Sequence, residues 1–315
     1  MSKQENKTDI KGSHNQVWQD VQLYIEQVDS GKKVAIQKHL TRQPATPPTT
    51  FVGREDALTK LHQRLQNEDN LLLASGIRGI GKTTLAQAYY HRHKAAYQCL
   101  AWVNCPNGIL QGLLECTIAE SLQFEPQRDD WQRHYNLVWK KLANLKGKHL
   151  LVLDNANDRS DLLRYLQPLD NWTILVTSTA DVSADLPTER VETLREQPAI
   201  ELFCSHCPTA AGQDDLLRRL LRAIGYHTLT IELLAKNLAQ LRRYALQNLC
   251  DDLEQRGVLH LPKTRTVDAA RYHDHQEVKP QDVIRGIFDV TQLDEHLQHL
   301  LQDFAVLPHE PIPYD

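Results

Sequence analysis

The stretch SGIRGIGKTTLAQAYY, residues 75–90, decides the fold. It fits the pattern G-x-x-x-x-G-K-[ST], with Gly76, Gly81, Lys82 and Thr83 in the fixed places. The run NLLLAS (Asn70 to Ser75) before it is short, apolar and bounded by glycine, the form of a buried parallel strand, and Thr83 to Tyr90 reads as the first turns of a helix. Glycines let successive backbone N–H groups converge on phosphate oxygens with no Cβ in the way, and the helix N-terminus adds a favourable field. The pattern assigns Lys82 to the β- and γ-phosphates and Thr83 to a Mg²⁺ ion, with Arg78, Gly79, Ile80 and Thr84 in the same cradle. The Arg78 side chain, at a variable position, is read either as reaching the terminal phosphate or a neighbouring subunit, or as facing water.

Outward from this loop, strand and helix patterns alternate. CLAWVNC (Cys99 to Cys105), HLLVLDNAND and WTILVTS (Trp172 to Ser178) are β-rich, and helical patterns run from Ile109 to Gln123 and from Trp131 to Leu145. Buried strands separated by helices of ordinary length imply a parallel sheet covered on both faces. Beyond about Glu192 the spacing turns helical throughout, in EQPAIELF, QDDLLRRLLRAIG, TLTIELLAKNLAQ and ALQNLCDDLEQRG, which implies a small all-helical subdomain.

The strand Leu150 to Leu153 ends in Asp154. A buried strand that delivers a carboxylate at its C-terminal edge, where ligands bind in doubly wound sheets, suits a Mg²⁺ ligand. Asp154 and Asn155 are therefore the candidates for the chemistry, with Thr83 and Asp154 on the metal. Many ATPases place a second carboxylate after the metal-binding Asp; here the position holds Asn155, whose amide can bind water but cannot accept its proton.

Composition sets the rest. A chain of 315 residues at 41% apolar is enough for about two domains, and a net charge of −4 gives no argument for a nucleic-acid surface. The polar start MSKQENKTDIKGSHNQ lacks a signal-peptide core and no run approaches the length of a membrane span, so a soluble, cytoplasmic protein is expected. Its 6 cysteines are too dispersed for a disulfide scaffold. CSHC (Cys204 to Cys207) is half of a zinc pattern without the other half, and is read as a helix end with small thiols.

FVGRE (Phe51 to Glu55), then GIRGIGKTT, LLVLDNAND, ILVTST and a helical subdomain together resemble the NB-ARC branch of the STAND signal-transduction ATPases, in a bacterial, NLR-like style. The resemblance implies an α/β P-loop NTPase fold with helices on both faces of a parallel sheet, followed by an all-helical subdomain and the start of a winged-helix domain. It implies ATP/ADP and Mg²⁺ as cofactors and places Val52, Gly53 and Arg54 near the base and sugar. Two places depart from the family pattern. The strand that usually ends in a phosphate-sensing Arg ends in Thr179, and the helical subdomain carries Thr228 where a Pro usually packs near the adenine. The winged-helix His of the family would fall beyond Asp315.

The expected organisation is an N-terminal effector or adaptor segment at 1–40, a Pro/Thr-rich linker at 41–50 and a nucleotide-binding domain at 51–194. A helical subdomain at 195–262, a linker at 263–279 and a truncated winged-helix start at 280–315 follow. The function so implied is an ATP/ADP switch of a signalling protein, with an ADP-bound resting state, ATP-driven self-oligomerisation, slow hydrolysis at most and an effector partner, in a setting such as antiphage defence. Two other readings stand beside it: a P-loop ATPase enzyme such as a kinase or remodelling motor, and a transcription regulator that binds DNA through a C-terminal region.

Overall fold

The computed structural model describes residues 24–29, 32–48, 50–67, 71–241 and 243–257, with short pieces at 261, 265–268, 277–280 and 284. The first elements among the described residues are an antiparallel pair, β1 (Tyr24–Asp29) and β2 (Lys32–Gln37), in the segment expected to hold an effector or adaptor. Past β2, Leu40 N–H bonds to Leu100 O and Leu100 N–H to Lys38 O, each at 2.8 Å. These residues therefore add a short rung to the edge of the main sheet, where an unpaired strand would otherwise expose its ladder. Leu40 is fully buried and Thr41 Oγ1 accepts from Trp102 N–H at 2.6 Å, so the segment expected to be a linker begins pinned to the sheet.

Helix α1 (Glu55–Asn67) then leads to the sheet strands β3 (Leu71–Ser75), β4 (Cys99–Asn104), β5 (His149–Asp154), β6 (Trp172–Ser178) and β7 (Thr188–Arg190). Their order is β4-β5-β6-β3-β7, and every pairing is parallel. Helix α2 (Lys82–His93) follows β3; α3 (Ile109–Glu115), α4 (Ile118–Ser121) and α5 (Trp131–Ala143) lie between β4 and β5; α6 (Arg159–Tyr165) lies between β5 and β6. The single helical pattern expected from Ile109 to Gln123 is broken where Cys116 turns extended (ψ 165°).

Strand periodicity explains the two layers. Ala101 and Val103 of β4, Leu151 and Leu153 of β5, and Ile174 and Val176 of β6 share one face with Leu113, Val138 and Leu162 from α3, α5 and α6. The alternate residues Leu100, Trp102, Leu150, Val152 and Leu175 share the other with Leu58, Leu61, Leu85 and Tyr89 from α1 and α2. Both sets are buried, which is why these strands read as continuous apolar runs.

Beyond β7 come α7 (Glu196–His206), α8 (Asp214–Ala223), α9 (Thr228–Gln240) and α10 (Leu246–Arg256), packed around Phe203, Leu217, Leu221, Ile231, Leu234 and Leu249. A two-residue antiparallel pair, β8 (Val267–Asp268) with β9 (Glu277–Val278), lies inside the second segment read as a linker. The expected winged-helix start at 280–315 lies outside the described residues, apart from Pro280 and Ile284. Among the described residues no helix is long and apolar enough to cross a membrane.

Candidate functional site

The loop Gly76 to Gly81 connects β3 to α2 at the C-terminal edge of the sheet, with β6 on one side of β3 and β7 on the other. Its backbone carbonyls are held from outside by the start of α9. His227 Nε2–H donates to Arg78 O at 2.9 Å, Leu229 N–H to Gly79 O at 3.1 Å, and Thr228 Oγ1–H to Ile80 O at 3.1 Å. Holding these three carbonyls on a neighbouring helix keeps them off the opposite side of the loop, where an anion cradle needs N–H groups; of the loop's N–H groups, that of Ile80 bonds Ile77 O at 3.4 Å. Gly79 makes this approach possible: it has φ +77°, and a Cβ there would lie 2.9 Å from His227 Cε1 and 3.0 Å from Leu229 Cβ.

Arg54 locks the same junction. Its guanidinium donates to Glu192 O (2.6 Å), Ile80 O (2.8 Å) and Thr228 Oγ1 (3.2 Å), joining the start of α1, the end of β7, the loop and α9. Burial lowers its pKa while the nearby Glu192 charge opposes that shift. The forked, always charged guanidinium suits three acceptors that converge from separate segments.

Lys82, the first residue of α2, is nearly buried and donates its ammonium to Gly76 O at 2.6 Å and Ile77 O at 3.0 Å. Burial pulls its pKa down to about 8, Asp154 opposes the shift, and Arg78 adds to it. At the end of β5, Asp154 Oδ1 accepts from Thr83 Oγ1–H at 2.9 Å and from Thr177 Oγ1–H of β6 at 2.5 Å. Burial pushes the Asp154 carboxyl up, against those two hydrogen bonds and the Lys82 charge. The paired hard oxygens of Thr83 and Asp154 fit a Mg²⁺ ion, which would also settle the carboxylate in its ionised form.

Next to Asp154 the backbone of Asn155 enters the left-handed region (φ 64°), which Asn tolerates better than most residues. Its N–H donates to Thr177 Oγ1 at 2.9 Å and its side-chain Oδ1 accepts from Asn157 Nδ2 at 2.6 Å. Asn157 Oδ1 in turn accepts from Thr179 N–H at 2.8 Å and Thr179 Oγ1–H at 3.0 Å. These residues, with Arg78, Lys82 and Thr83, surround a polar cavity of about 260 Å³.

The family model for the NB-ARC domain matches residues 54–211, a span that holds the loop, Asp154 and the start of the helical part. The chain belongs to the NB-ARC family. As an NB-ARC protein it is a nucleotide-binding P-loop protein of the signalling type. Disease resistance protein RPH8A of Arabidopsis thaliana is 26% identical over 166 residues, covering 48% of this chain and 18% of its own length. The probable disease resistance protein At1g59620 of the same plant is 27% identical over 188 residues, covering 55% and 20%. The chain thus spans about a fifth of the length of these relatives. Among solved structures, a Walker-type ATPase of Pyrococcus abyssi superposes with TM-score 0.48 at 13% identity, over 84% of this chain and 92% of that one. A STAND protein with a tetratricopeptide-repeat sensor from Pyrococcus horikoshii gives 0.46 at 14%, over 83% and 46%.

The NB-ARC fold brings Arg78, Gly79, Gly81, Lys82, Thr83, Asp154 and Asn155 to one cavity. Gly76 and Ile80 line a second cavity of about 600 Å³ on the β7 side, which shares Thr179 with the first. Val52 packs against the helical core, and Gly53 (φ +66°) lies where a Cβ would meet Pro198 of α7 at 2.3 Å. Val52, Gly53, Arg54, Thr84 and Thr228 do not line the polar cavity; the polar groups of Arg54 and Thr228 face the loop backbone instead. Sequence reasoning missed Asn157, Thr177, Glu192 and His227. Thr177 is the one with a local signal, a hydroxyl near the end of a buried strand; Glu192 and His227 act through contacts distant in sequence, and Asn157 joins its near neighbour Asn155 to the distant Thr179. In the CSHC run, Cys207 is buried against Thr209, and among the described residues no group of three or more His, Cys, Asp and Glu could hold a metal ion.

Proposed function

We propose that this NB-ARC chain is an adenine-nucleotide latch: it rests with ADP bound, exchanges it for MgATP, and hydrolyses ATP slowly if at all. Lys82 would hold the β- and γ-phosphates, the loop N–H groups the phosphate oxygens, and Thr83 with Asp154 the Mg²⁺ ion. One observation carries the reading. Arg78, Gly79, Gly81, Lys82, Thr83 and Asp154 line one polar cavity, while the position after Asp154 holds an amide already bonded to Asn157. Such a site gives affinity without a base, and only interactions stronger in the transition state raise a rate.

Nucleotide bound at the loop would also act on the helical part, because α9 grips the carbonyls of the same loop. Exchange of ADP for ATP is then a bias between two arrangements of the parts, with the ATP-favoured one open to self-oligomerisation. A separate or N-terminal effector would take the signal, and a role in antiphage defence fits that output.

The test is to purify the chain, identify the nucleotide it retains by mass spectrometry, and follow phosphate release at saturating MgATP. Retained ADP with turnover below about 1 per second is expected, at or under the low end of ordinary enzymes. Turnover in the ordinary enzyme range would move the chain to the ATPase-enzyme class instead.

A further inference from the structure

The strand end that lacks an arginine carries a neutral relay, whose orientation follows from hydrogen-bonding rules alone. Thr179 N–H can only donate, so the Asn157 atom 2.8 Å from it is the carbonyl oxygen Oδ1. Asn157 therefore directs its NH₂ group to Asn155, 2.6 Å away, and the Asn155 atom that meets it is again the oxygen. With the oxygen so occupied, Asn155 is left with its two N–H donors for the cavity it lines beside Lys82, Thr83 and Asp154. Its backbone is fixed as well, by Asn155 N–H on Thr177 Oγ1, whose own proton goes to Asp154.

From this we infer that Asn155, oriented by Asn157 and Thr179, binds the terminal phosphate of a nucleoside triphosphate and replaces the missing arginine as the group that distinguishes triphosphate from diphosphate. The inference rests on the nucleotide reading of this cavity. Thr83 and Asp154 would hold the Mg²⁺ ion of a bound nucleotide and Lys82 its outer phosphates, and Asn155 lines the same cavity beside them, where its donors can meet the terminal phosphate. An amide donor there favours an anionic oxygen without taking a proton from water. The discrimination is then one of binding: Asn155 contacts an oxygen that ADP does not have.

The test compares affinities for MgADP and for a non-hydrolysable MgATP analogue in wild type, Asn155→Gly and Asn157→Ala. Glycine at 155 removes the amide and keeps the left-handed backbone unstrained. Loss of a hydrogen bond to a charged group should weaken the analogue by about tenfold or more in Asn155→Gly, with a smaller loss in Asn157→Ala and ADP affinity unchanged. Equal losses for the two ligands, or no loss for the analogue, would overturn the inference while leaving the nucleotide site standing. A wild type that binds neither ligand would remove the nucleotide reading and this inference together.

Discussion

His227, the N-cap residue of α9, donates its Nε2–H to the carbonyl oxygen of Arg78 in the glycine loop at 2.9 Å. A carbonyl can only accept, so Nε2 carries a proton; Nδ1 lies 2.9 Å from Thr230 Oγ1 and 3.4 Å from Thr230 N, and in the neutral ring it accepts from them. These contacts fix the tautomer of the neutral ring. Burial lowers its pKa, the nearby Lys82 charge lowers it further, and the Arg78 carbonyl opposes both.

A pH dependence follows. The folded chain holds His227 neutral below the ordinary histidine range, so as pH falls the unfolded chain takes up this proton first. The contribution is complete above about pH 6.5 and declines as pH drops through and below that value. Thermal midpoints measured against pH should fall in wild type on the acid side and fall less in His227→Gln, which keeps a donor without the titration. Equal slopes in the two proteins would exclude His227 as the source.

Arg54 supplies a second prediction, about stability. Arg54→Ala leaves Ile80 O and Glu192 O without this donor at a buried junction, at a cost of about 2 kcal/mol or more. Arg54→Lys should recover little, because one ammonium cannot span acceptors that the guanidinium fork reaches together. Urea denaturation of the three proteins measures this. A lysine variant as stable as wild type would show that charge alone suffices.

Lys82 gives different expectations with and without nucleotide. Its ammonium is needed on the phosphates, so Lys82→Ala should abolish nucleotide retention and with it a ligand stabilisation of about 4 kcal/mol at a thousandfold excess over Kd. In the nucleotide-free chain the substitution removes a charge that burial disfavours together with the donor to Gly76 O and Ile77 O, two effects of opposite sign, so the thermal midpoint should change much less than it does with nucleotide present. Wild-type affinity for ADP should weaken as pH rises through about 8, where the free chain's Lys82 loses its proton. Calorimetric titrations across that range give the dependence. An affinity that is flat with pH would place the ammonium away from the phosphates.

The parts of this site that were legible in the sequence are those specified locally. The glycine loop, Lys82 and Thr83 sit on consecutive residues between a strand and a helix, and Asp154 ends an apolar run, so pattern and position suffice. β7 was not legible: Thr188–Arg190 is three polar residues that become a strand by pairing with β3. The α9 clamp was hidden for the same reason, since nothing near His227 in sequence announces a carbonyl 149 residues away. Thr228 shows what a departure from a family pattern can supply. In place of a proline ring, the threonine hydroxyl makes a bond to Ile80 O that proline cannot make.

The last prediction concerns the chemistry. Asn155→Asp replaces the amide by a carboxylate of nearly the same volume, and Asp shares the tolerance of Asn for the left-handed backbone found there. The carboxylate can still accept from Asn157 Nδ2, so the relay to Thr179 persists, but the donors facing the cavity are gone and a base stands in their place. Negative charge beside the terminal phosphate should weaken MgATP binding, and a proton acceptor near the attacking water should speed its hydrolysis, where general bases contribute typically about a hundredfold or more when well placed. Multi-turnover assays over a range of MgATP should show a raised KM and a raised kcat in the mutant, against a wild type that is nearly silent. A mutant as silent as wild type would mean that the slow chemistry has its origin elsewhere than in the missing carboxylate, in water positioning or in a group supplied by another part of the assembly.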